Sequence, residues 1–336
     1  MAIIDDPTAF FQTALYTGDN ANTKAVTFDG NSNMQPNLWW GKTRSDARNH
    51  NLIDSIRGVT KTLQSDVTSA ELSSDSSGFL ASFNSNGFTT QKGSYDNGNV
   101  NVSGRTYANW CWKEQPGVFD IVSFTGNGNA RTISHNLGVV PKFIIIKDRD
   151  QVRNWGTYHV AIGPGKDAGY LNNNVVPEAN NNFWNNTTPT ASVFSVGTDG
   201  TYNGNGNDYI VYLFGDSSMS KCSSYTGNGS GNGTFIYTGF KPAWTIIKRT
   251  DSADNWVIDD VKRSPTNTMK NTLYANLNNA EYTSNAYGID FLSNGFKVRN
   301  TDGNYNVSGG NYIYTAFAEN PLVTSTGNGS IPACAR

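Results

Sequence analysis

The sequence predicts an all-β protein made of three tandem β-sandwich domains of jelly-roll type, related by an internal repeat of about 100 residues. Three observations support this fold class. Aromatic residues make up 12% of the chain and can fill β-sheet cores, while charged residues make up only 15%. The 34 glycines and abundant asparagines are typical of tight turns between short strands. The third observation is a set of landmarks that recurs along the chain.

Three landmarks occur three times in the same order. The first is an aromatic residue followed by Thr-Gly, the second is a proline leading into an apolar run that ends in lysine, and the third is an aromatic-rich closing run. They occupy residues 16–18, 36–42 and 107–112, then 124–126, 141–147 and 209–214, then 225–227, 242–248 and 312–317. This period is longer than the roughly 20–50 residues of solenoid repeats. Each copy is large enough to close its own core, so we expect separate domains along the chain.

The predicted domain boundaries follow these landmarks. Residues 15–116, 117–218 and 219–321 form the three β-sandwich repeats, here called the first, second and third segments. Residues 1–14 either dock the protein to a larger assembly or begin the first sandwich. Residues 322–336 form a C-terminal tail that can strap onto a neighbour.

Strands are predicted where β-branched and aromatic residues form short runs between turn residues. Such runs occupy residues 143–147, 209–214, 244–248 and 312–317, and the closing aromatic of the later runs is expected to face the core. Asn86-Gly87 and Asn294-Gly295 each separate apolar runs, which predicts β-hairpins. A helix is conceivable over residues 46–61, but alignment with the extended segments 153–155 and 254–259 favours a strand there.

Charge and cysteine content exclude several classes of protein. The 25 Lys and Arg residues against 27 Asp and Glu residues give a net charge of −2, without the basic stripe of a nucleic-acid binder. No run approaches the ~20 apolar residues of a membrane span, and the N-terminus lacks a secretion-signal pattern. Cys111, Cys222 and Cys334 form neither a disulfide framework nor a metal motif. Cys111 lies in an apolar run and is expected to be a packed thiol.

The sequence predicts no catalytic residue, metal ligand or cofactor. The three histidines are dispersed and are interpreted as surface or turn residues: His50, His135 and His159. Carboxylates close enough in sequence to suggest a glycosidase pair all lie near turns, where Asp is common: Asp148 with Asp150, Asp199 with Asp208, and Asp259 with Asp260. The loops that begin at Asp199 and Asp302 do not fit an EF-hand and are interpreted as turns.

One loop is a candidate ligand contact. Most of the eight tryptophans lie at landmark positions and are expected in the cores, but Trp184 lies in an asparagine-rich insertion. Aromatic faces and amide side chains suit saccharides, because rings stack and amides both donate and accept hydrogen bonds. The predicted ligand-binding residues are therefore Asn182, Phe183, Trp184 and Asn185.

The landmarks resemble a repeat family of tailed-phage virion proteins, particularly of marine and cyanobacterial phages. The resemblance covers nearly the whole chain. It is carried by residues 16–18, 47–50, 54–58, 107–113, 133–138 and 316–321. Members of this family are described as virion structural or tail-fibre-like proteins, and no catalytic residues define them. The resemblance therefore implies a structural role and transfers no active site.

These observations lead to the expectation of a non-enzymatic bacteriophage structural protein, a tail fibre or receptor-binding component that contacts host surface glycan. The alternatives are a capsid decoration (cement) protein and a polysaccharide-degrading, tailspike-like enzyme. The expected partners are other virion proteins of the tail or capsid, a host surface polysaccharide and further copies of the chain, without nucleic acid or membrane insertion. The expected location is the virion, assembled in the host cytoplasm without disulfides.

Overall fold

The structure is a computed structural model, and it describes residues 4–95, 98–166, 169–284 and 287–318 together with the strand backbone at 323–324 and 331–332. Regular structure in these residues is almost entirely β, so the all-β prediction is confirmed. Helical structure is confined to a 3-10 turn at Pro7–Ala9 and two single-turn helices, α1 (Asn181–Trp184) and α2 (Gly200–Asn203). The predicted tail and Cys334 lie outside the described residues, apart from the two short strands near the C-terminus.

The first segment is a sandwich of two antiparallel sheets. Its described residues form nine strands, which are β1 (Phe11–Thr17), β2 (Thr23–Val26), β3 (Leu38–Thr43), β4 (Asn51–Asp54), β5 (Lys61–Thr62), β6 (Leu72–Ser73), β7 (Phe79–Asn84), β8 (Gly87–Gln91) and β9 (Thr106–Trp112). One sheet has the order β1-β9-β3-β4, the other has the order β2-β8-β7, and β5 pairs with β6. Since β1 begins at Phe11, residues 11–14 belong to the first sandwich.

The second segment repeats this plan with fewer strands. The part of this segment that the structure describes contains six strands, β10 (Phe119–Thr125), β11 (Arg131–Ser134), β12 (Phe143–Asp148), β13 (Gly156–His159), β14 (Val193–Val196) and β15 (Asp208–Phe214). The larger sheet has the order β10-β15-β12-β13, and β11 pairs with β14. The helices α1 and α2 lie on either side of β14 in the chain.

The larger sheet of the third segment has more strands than the larger sheets of the first two segments. Nine strands lie in its residues 219–284 and 287–318, namely β16 (Ser220–Thr226), β17 (Phe235–Tyr237), β18 (Trp244–Arg249), β19 (Val257–Asp260), β20 (Asn271–Tyr274), β21 (Tyr282–Thr283), β22 (Ile289–Leu292), β23 (Gly295–Val298) and β24 (Asn311–Phe317). The sheets have the orders β16-β24-β18-β19-β20-β21 and β17-β23-β22. Beyond them, β25 (Val323–Thr324) pairs with β26 (Ile331–Pro332).

The strand predictions agree with these elements. The four predicted runs form β12, β15, β18 and β24, and the ambiguous region 46–61 contains the strand β4. Both Asn-Gly dipeptides lie at hairpins, between β7 and β8 and between β22 and β23. Gly87 has a φ of 113° at the first of these turns, a backbone conformation that glycine adopts without a steric penalty.

The larger sheet of each segment is its principal sheet, and the central strands of these sheets are buried on both faces. Every residue of β3 and β12 is buried, as are all but the first residues of β9 and β15. The outer face of each sheet in the first two segments packs on that segment's smaller sheet, with Trp39 and Phe88 in one sandwich core and Ile144 and Phe194 in the other. The inner faces pack on one another in a third core that all three segments share.

An aromatic triangle lies at the centre of this shared core. Trp112, Phe214 and Phe317 are the last residues of β9, β15 and β24, so each segment contributes one ring. Their ring centroids are 6.0 Å apart for Trp112 and Phe214, 5.8 Å for Trp112 and Phe317, and 5.9 Å for Phe214 and Phe317. The expectation of separate domains, each with its own closed core, is therefore wrong, because the principal sheets require their neighbours to cover the inner face.

A ring nitrogen from each segment also bonds to the backbone of a neighbouring segment. The fourth strand in the order of each principal sheet is β4, β13 or β19. The residue immediately before it is His50, Trp155 or Trp256, respectively. Nδ1 of His50 accepts a hydrogen bond from the Trp40 indole, so Nε2 of His50 is the donor. The bonds run from Trp155 Nε1 to Gln64 O at 2.9 Å, from Trp256 Nε1 to Tyr170 O at 3.1 Å, and from His50 Nε2 to Tyr274 O at 2.9 Å. Together these bonds link the second segment to the first, the third segment to the second and the first segment to the third. The three segments are therefore joined in a closed ring.

The lysine that ends each apolar landmark run is buried. Lys42, Lys147 and Lys248 donate from Nζ to the backbone carbonyl of the following residue, at 2.6, 2.7 and 2.6 Å. Lys42 also reaches the carbonyl of Asn278 in the third segment, and Lys248 reaches that of Asn174 in the second. Burial lowers the pKa of each lysine to about 8. All three side chains therefore satisfy backbone carbonyls, and Lys42 and Lys248 also connect segments.

A charged network joins the first and second segments. Arg57 is fully buried, with Nε 2.5 Å from Oδ2 of Asp54 and Nη1 3.2 Å from Oε2 of Glu71. The second segment contributes Arg149, which donates two hydrogen bonds to Glu71, and Tyr212, whose hydroxyl donates to Asp54 at 2.8 Å. Burial alone disfavours the charge on Arg57, but Tyr212, Asp54 and Glu71 outweigh it and raise the pKa of Arg57.

The same network recurs between the third and first segments. Nε of Arg263 lies 2.5 Å from Oδ2 of Asp260, and Nη1 of Arg263 lies 3.1 Å from Oε2 of Glu281. The first segment contributes Arg44, which donates two hydrogen bonds to Glu281, and Trp110, whose indole nitrogen donates to Asp260 at 2.9 Å. Two junctions therefore use the same buried triad of Asp, Arg and Glu.

The junction between the second and third segments has no such triad in the described residues. His159 pairs with Phe143 across the sheet, as Asp54 pairs with Leu38. It therefore occupies the place of the aspartate, and Ile162 stands three residues later in the place of the arginine. Nε2 of His159 lies 3.2 Å from the carbonyl of Tyr314, and Ile162 packs on the shared core. Within the described residues, this junction therefore lacks the ionic triad that the other two junctions share.

Truncation at the aromatic triangle is expected to destabilise the whole described fold. Phe214→Ala should lower the free energy of unfolding by about 3–5 kcal/mol, because it leaves a cavity where three segments meet. Chemical denaturation followed by circular dichroism and by tryptophan fluorescence should give one coincident transition. The matched surface variant Val152→Ala, at a residue 74% exposed, should change stability by less than ~0.5 kcal/mol. Two separated transitions would contradict a shared core.

Removing a buried arginine from a junction should also be costly. Arg57→Met leaves Asp54 buried without its cation, so the free energy of unfolding should fall by about 3–5 kcal/mol. Arg299→Met is the control, because Arg299 is partly exposed and pairs with Asp290 near the surface, where a pair contributes at most ~1 kcal/mol. Equal losses for the two variants, measured by urea denaturation, would show that the buried triad has no special role.

Candidate functional site

The predicted ligand-binding loop folds into the second segment. Asn180 caps α1 by accepting a hydrogen bond from the backbone of Asn182 at 2.9 Å. The resulting turn directs Phe183 and Trp184 inward, where their ring centroids lie 4.8 and 4.9 Å from the ring of Tyr202. Both rings are at most 2% exposed. The prediction that Phe183 and Trp184 contact a ligand is therefore corrected, because burial removes their faces from solvent.

The two asparagines of this loop remain at the surface. Asn182 and Asn185 are exposed, and Asn185 ends α1 in a left-handed conformation with a φ of 51°. Their predicted role as ligand contacts stays a prediction. The remaining seven tryptophans are also buried, as their landmark positions predict. Tryptophan faces therefore form cores in this protein.

The candidate carboxylates have structural partners. Asp148 accepts hydrogen bonds from the backbone of Asp150 and Gln151 and from the side chains of Asn207 and Tyr209. Asp260 belongs to the triad with Arg263, and Asp199 caps α2. Burial raises the pKa of Asp259 to about 6, and its carboxylate accepts from Tyr305 and Thr272. Within the described residues, no group of three or more His, Cys, Asp or Glu side chains is arranged to hold a metal ion.

The interpretation of the histidines as surface or turn residues is wrong for His50 and His159, which are at most 1% exposed. Nδ1 of His159 accepts from the backbone of Ala161 at 3.2 Å, which leaves Nε2 to donate to Tyr314. Burial lowers the pKa of His159 to about 4, against smaller opposing effects of Tyr314 and Asp216. His135 is also buried, in a turn after β11. The cysteines Cys111 and Cys222 are buried free thiols.

An open cleft lies where the third segment meets the first. It has a volume of about 670 Å³, and we call it the Arg48 cleft. Arg48 and Asn49 precede β4, Tyr95 and Asn99 lie between β8 and β9, and Asn278 belongs to the third segment. Gln64, after β5, completes the main polar lining. Sequence reasoning missed this site, because its residues are distant in the chain and meet only through the junction.

Hydrogen bonds hold the amides of the Arg48 cleft in place. Asn49 donates from Nδ2 to Gln64 at 3.0 Å, and Asn99 donates to Asn51 at 3.2 Å. An amide has two donor hydrogens and an acceptor oxygen, so these bonds leave capacity for a ligand. Tyr95 is 61% exposed beside them. The lining therefore combines polar groups, one aromatic ring and one guanidinium.

The chain belongs to the family described as "Domain of unknown function (DUF7483)", whose model matches residues 6–321. The match covers the three segments and the shared core that joins them. A comparison with curated proteins finds no match. In the described part of the chain, no helix is both long and apolar enough to span a membrane.

Acidification should destabilise the protein through His159. The unfolded chain takes up a proton near pH 6.5, whereas folded His159 does so near pH 4, so falling pH favours unfolding across this window. We expect His159→Gln to lose less stability than the wild type between pH 6.5 and 4, with a difference of about 3 kcal/mol. Urea denaturation at a series of pH values measures it. His135→Gln is the less buried control, and parallel pH profiles for His159→Gln and wild type would contradict the prediction.

Proposed function

We propose that this protein is a non-enzymatic structural component of a bacteriophage particle, a tail fibre or receptor-binding component that contacts host surface glycan. The observation that carries the glycan contact is the Arg48 cleft. Its polar lining and exposed Tyr95 offer the hydrogen bonds and the ring face that saccharides use. The virion setting is supported by the resemblance of the landmarks to tailed-phage structural proteins.

A binding role fits the positions of the acidic side chains better than a hydrolytic one. A glycosidase needs two carboxyl groups that face one sugar ring from about 5–10 Å apart. Asp148, Asp259 and Asp260 are at most 2% exposed and have internal partners. The described lining of the Arg48 cleft contains amide, hydroxyl and guanidinium groups without a carboxylate. These features favour recognition without bond cleavage.

Capsid decoration is the second candidate, and the arrangement of the sheets favours it. Three sheets with the same core strand order meet around one aromatic triangle, which gives a single chain three similar faces. Such a chain can match a threefold position on a shell built from symmetric subunits. In either setting the expected partners are other virion proteins, and assembly with further copies of the chain stays a prediction.

The copy number of the protein in purified particles distinguishes the two candidates. A tail component should be present at a small fraction of the major capsid protein, because a particle has one tail. Quantitative mass spectrometry with labelled reference peptides measures this ratio. A ratio close to that of the capsid protein would replace the tail assignment by decoration, and absence from the particle would overturn both. A known tail protein and the capsid protein in the same sample calibrate the measurement.

A further inference from the structure

We propose that the Arg48 cleft binds an acidic polysaccharide, with the guanidinium of Arg48 paired to a sugar carboxylate. This inference rests on the proposed glycan contact and specifies the class of glycan. Its basis is a cation without an internal partner, placed in an open polar cleft at a junction between segments. Arginine pairs with carboxylates through two parallel hydrogen bonds, which adds geometric selectivity to charge.

The equivalent positions in the other two segments carry paired charges, whereas Arg48 forms no ion pair with a described residue. The strands β4, β13 and β19 have equivalent places in their sheets. Three residues before them, the chain has Arg48, Arg153 and Asp254, respectively. Arg153 has Nε 3.8 Å from Asp148, and Asp254 lies 3.1 Å from Arg249. Among the described residues Arg48 forms no ion pair, and its buried Nε has no hydrogen-bond partner. A buried donor without a partner is costly, so folding gains nothing from this arrangement of Nε.

The neighbouring acidic group does not neutralise Arg48. Asp46, two residues earlier, is paired with Arg105, whose Nε lies 2.6 Å from its Oδ2. Oδ1 of Asp66 accepts a hydrogen bond from the backbone nitrogen of His50 at 2.9 Å. In the described part of the chain, neither of these carboxylates forms an ion pair with Arg48, which leaves its positive charge for an external anion.

The rest of the cleft selects a saccharide over other anionic ligands. Asn49, Gln64 and Asn99 are held in a hydrogen-bonded array that can meet several hydroxyl groups at once. Tyr95 presents a ring at the edge, where a sugar face can stack. A nucleic acid would require several cations for its phosphates, and the described lining has one. An apolar ligand would find little apolar surface, since Ala47 is the one aliphatic residue in that lining.

Binding of matched oligosaccharides to the full-length protein tests this inference. The probes are hexagalacturonate, its fully methyl-esterified form, and oligosaccharides of mannuronate, glucuronate and sialic acid. At least one acidic probe should bind in isothermal titration calorimetry, and methyl esterification of hexagalacturonate or carboxyl reduction of the other probes should weaken binding about tenfold or more. Arg48→Gln should cause a similar loss and remove the preference for the acidic form, whereas Arg48→Lys should keep part of it.

Arg153→Gln is the matched control, because it removes an arginine from the equivalent position outside the cleft and should leave affinity unchanged. Thermal unfolding of Arg48→Gln should match the wild type, which separates lost binding from lost folding. Equal binding of acidic and neutral probes, or full affinity in Arg48→Gln, would overturn the acidic specificity and leave the glycan contact standing. Binding of acetate alone, or of none of the probes, would overturn the site itself. The copy number in particles reports on the virion role independently.

Discussion

The burial of both faces of the principal sheets is the constraint on which this structure depends. A sandwich ordinarily covers one face of each sheet and leaves the other to solvent. Here the inner faces carry large aromatic residues whose exposure to water would be unfavourable. These faces cover one another around Trp112, Phe214 and Phe317. Each segment therefore covers a face of its neighbours, and the three share one core.

This arrangement explains why charged groups are buried between the segments. Strand ends that converge on a shared core bring carboxylates and carbonyls out of water, and they must be paired there. Arg57 and Arg263 meet this need at two junctions, and Lys42 and Lys248 satisfy carbonyls of adjoining segments. Unlike these buried and paired charges, Arg48 lines an open cleft at a junction and forms no ion pair with a described residue, and departures of this kind are where binding is expected.

Much of the fold could be predicted because its signals are local. Turn residues and alternating runs predict the strands β12, β15, β18 and β24, and the two Asn-Gly dipeptides predict hairpins. The runs at 143–147 and 209–214 are also apolar without alternation, which is typical of strands buried on both faces. That signal is compatible with the shared core, but it does not identify which surface covers the second face.

The sequence by itself determined the strands, their turns and the threefold recurrence of the landmarks, because backbone geometry and side-chain periodicity act over a few residues. Only the tertiary structure decided that the segments share a core, that Phe183 and Trp184 point inward, and that Arg48 faces an open cleft. These outcomes depend on contacts between residues far apart in the chain. The free energy of those contacts depends on which surfaces pack against each other. A local sequence pattern does not contain that information.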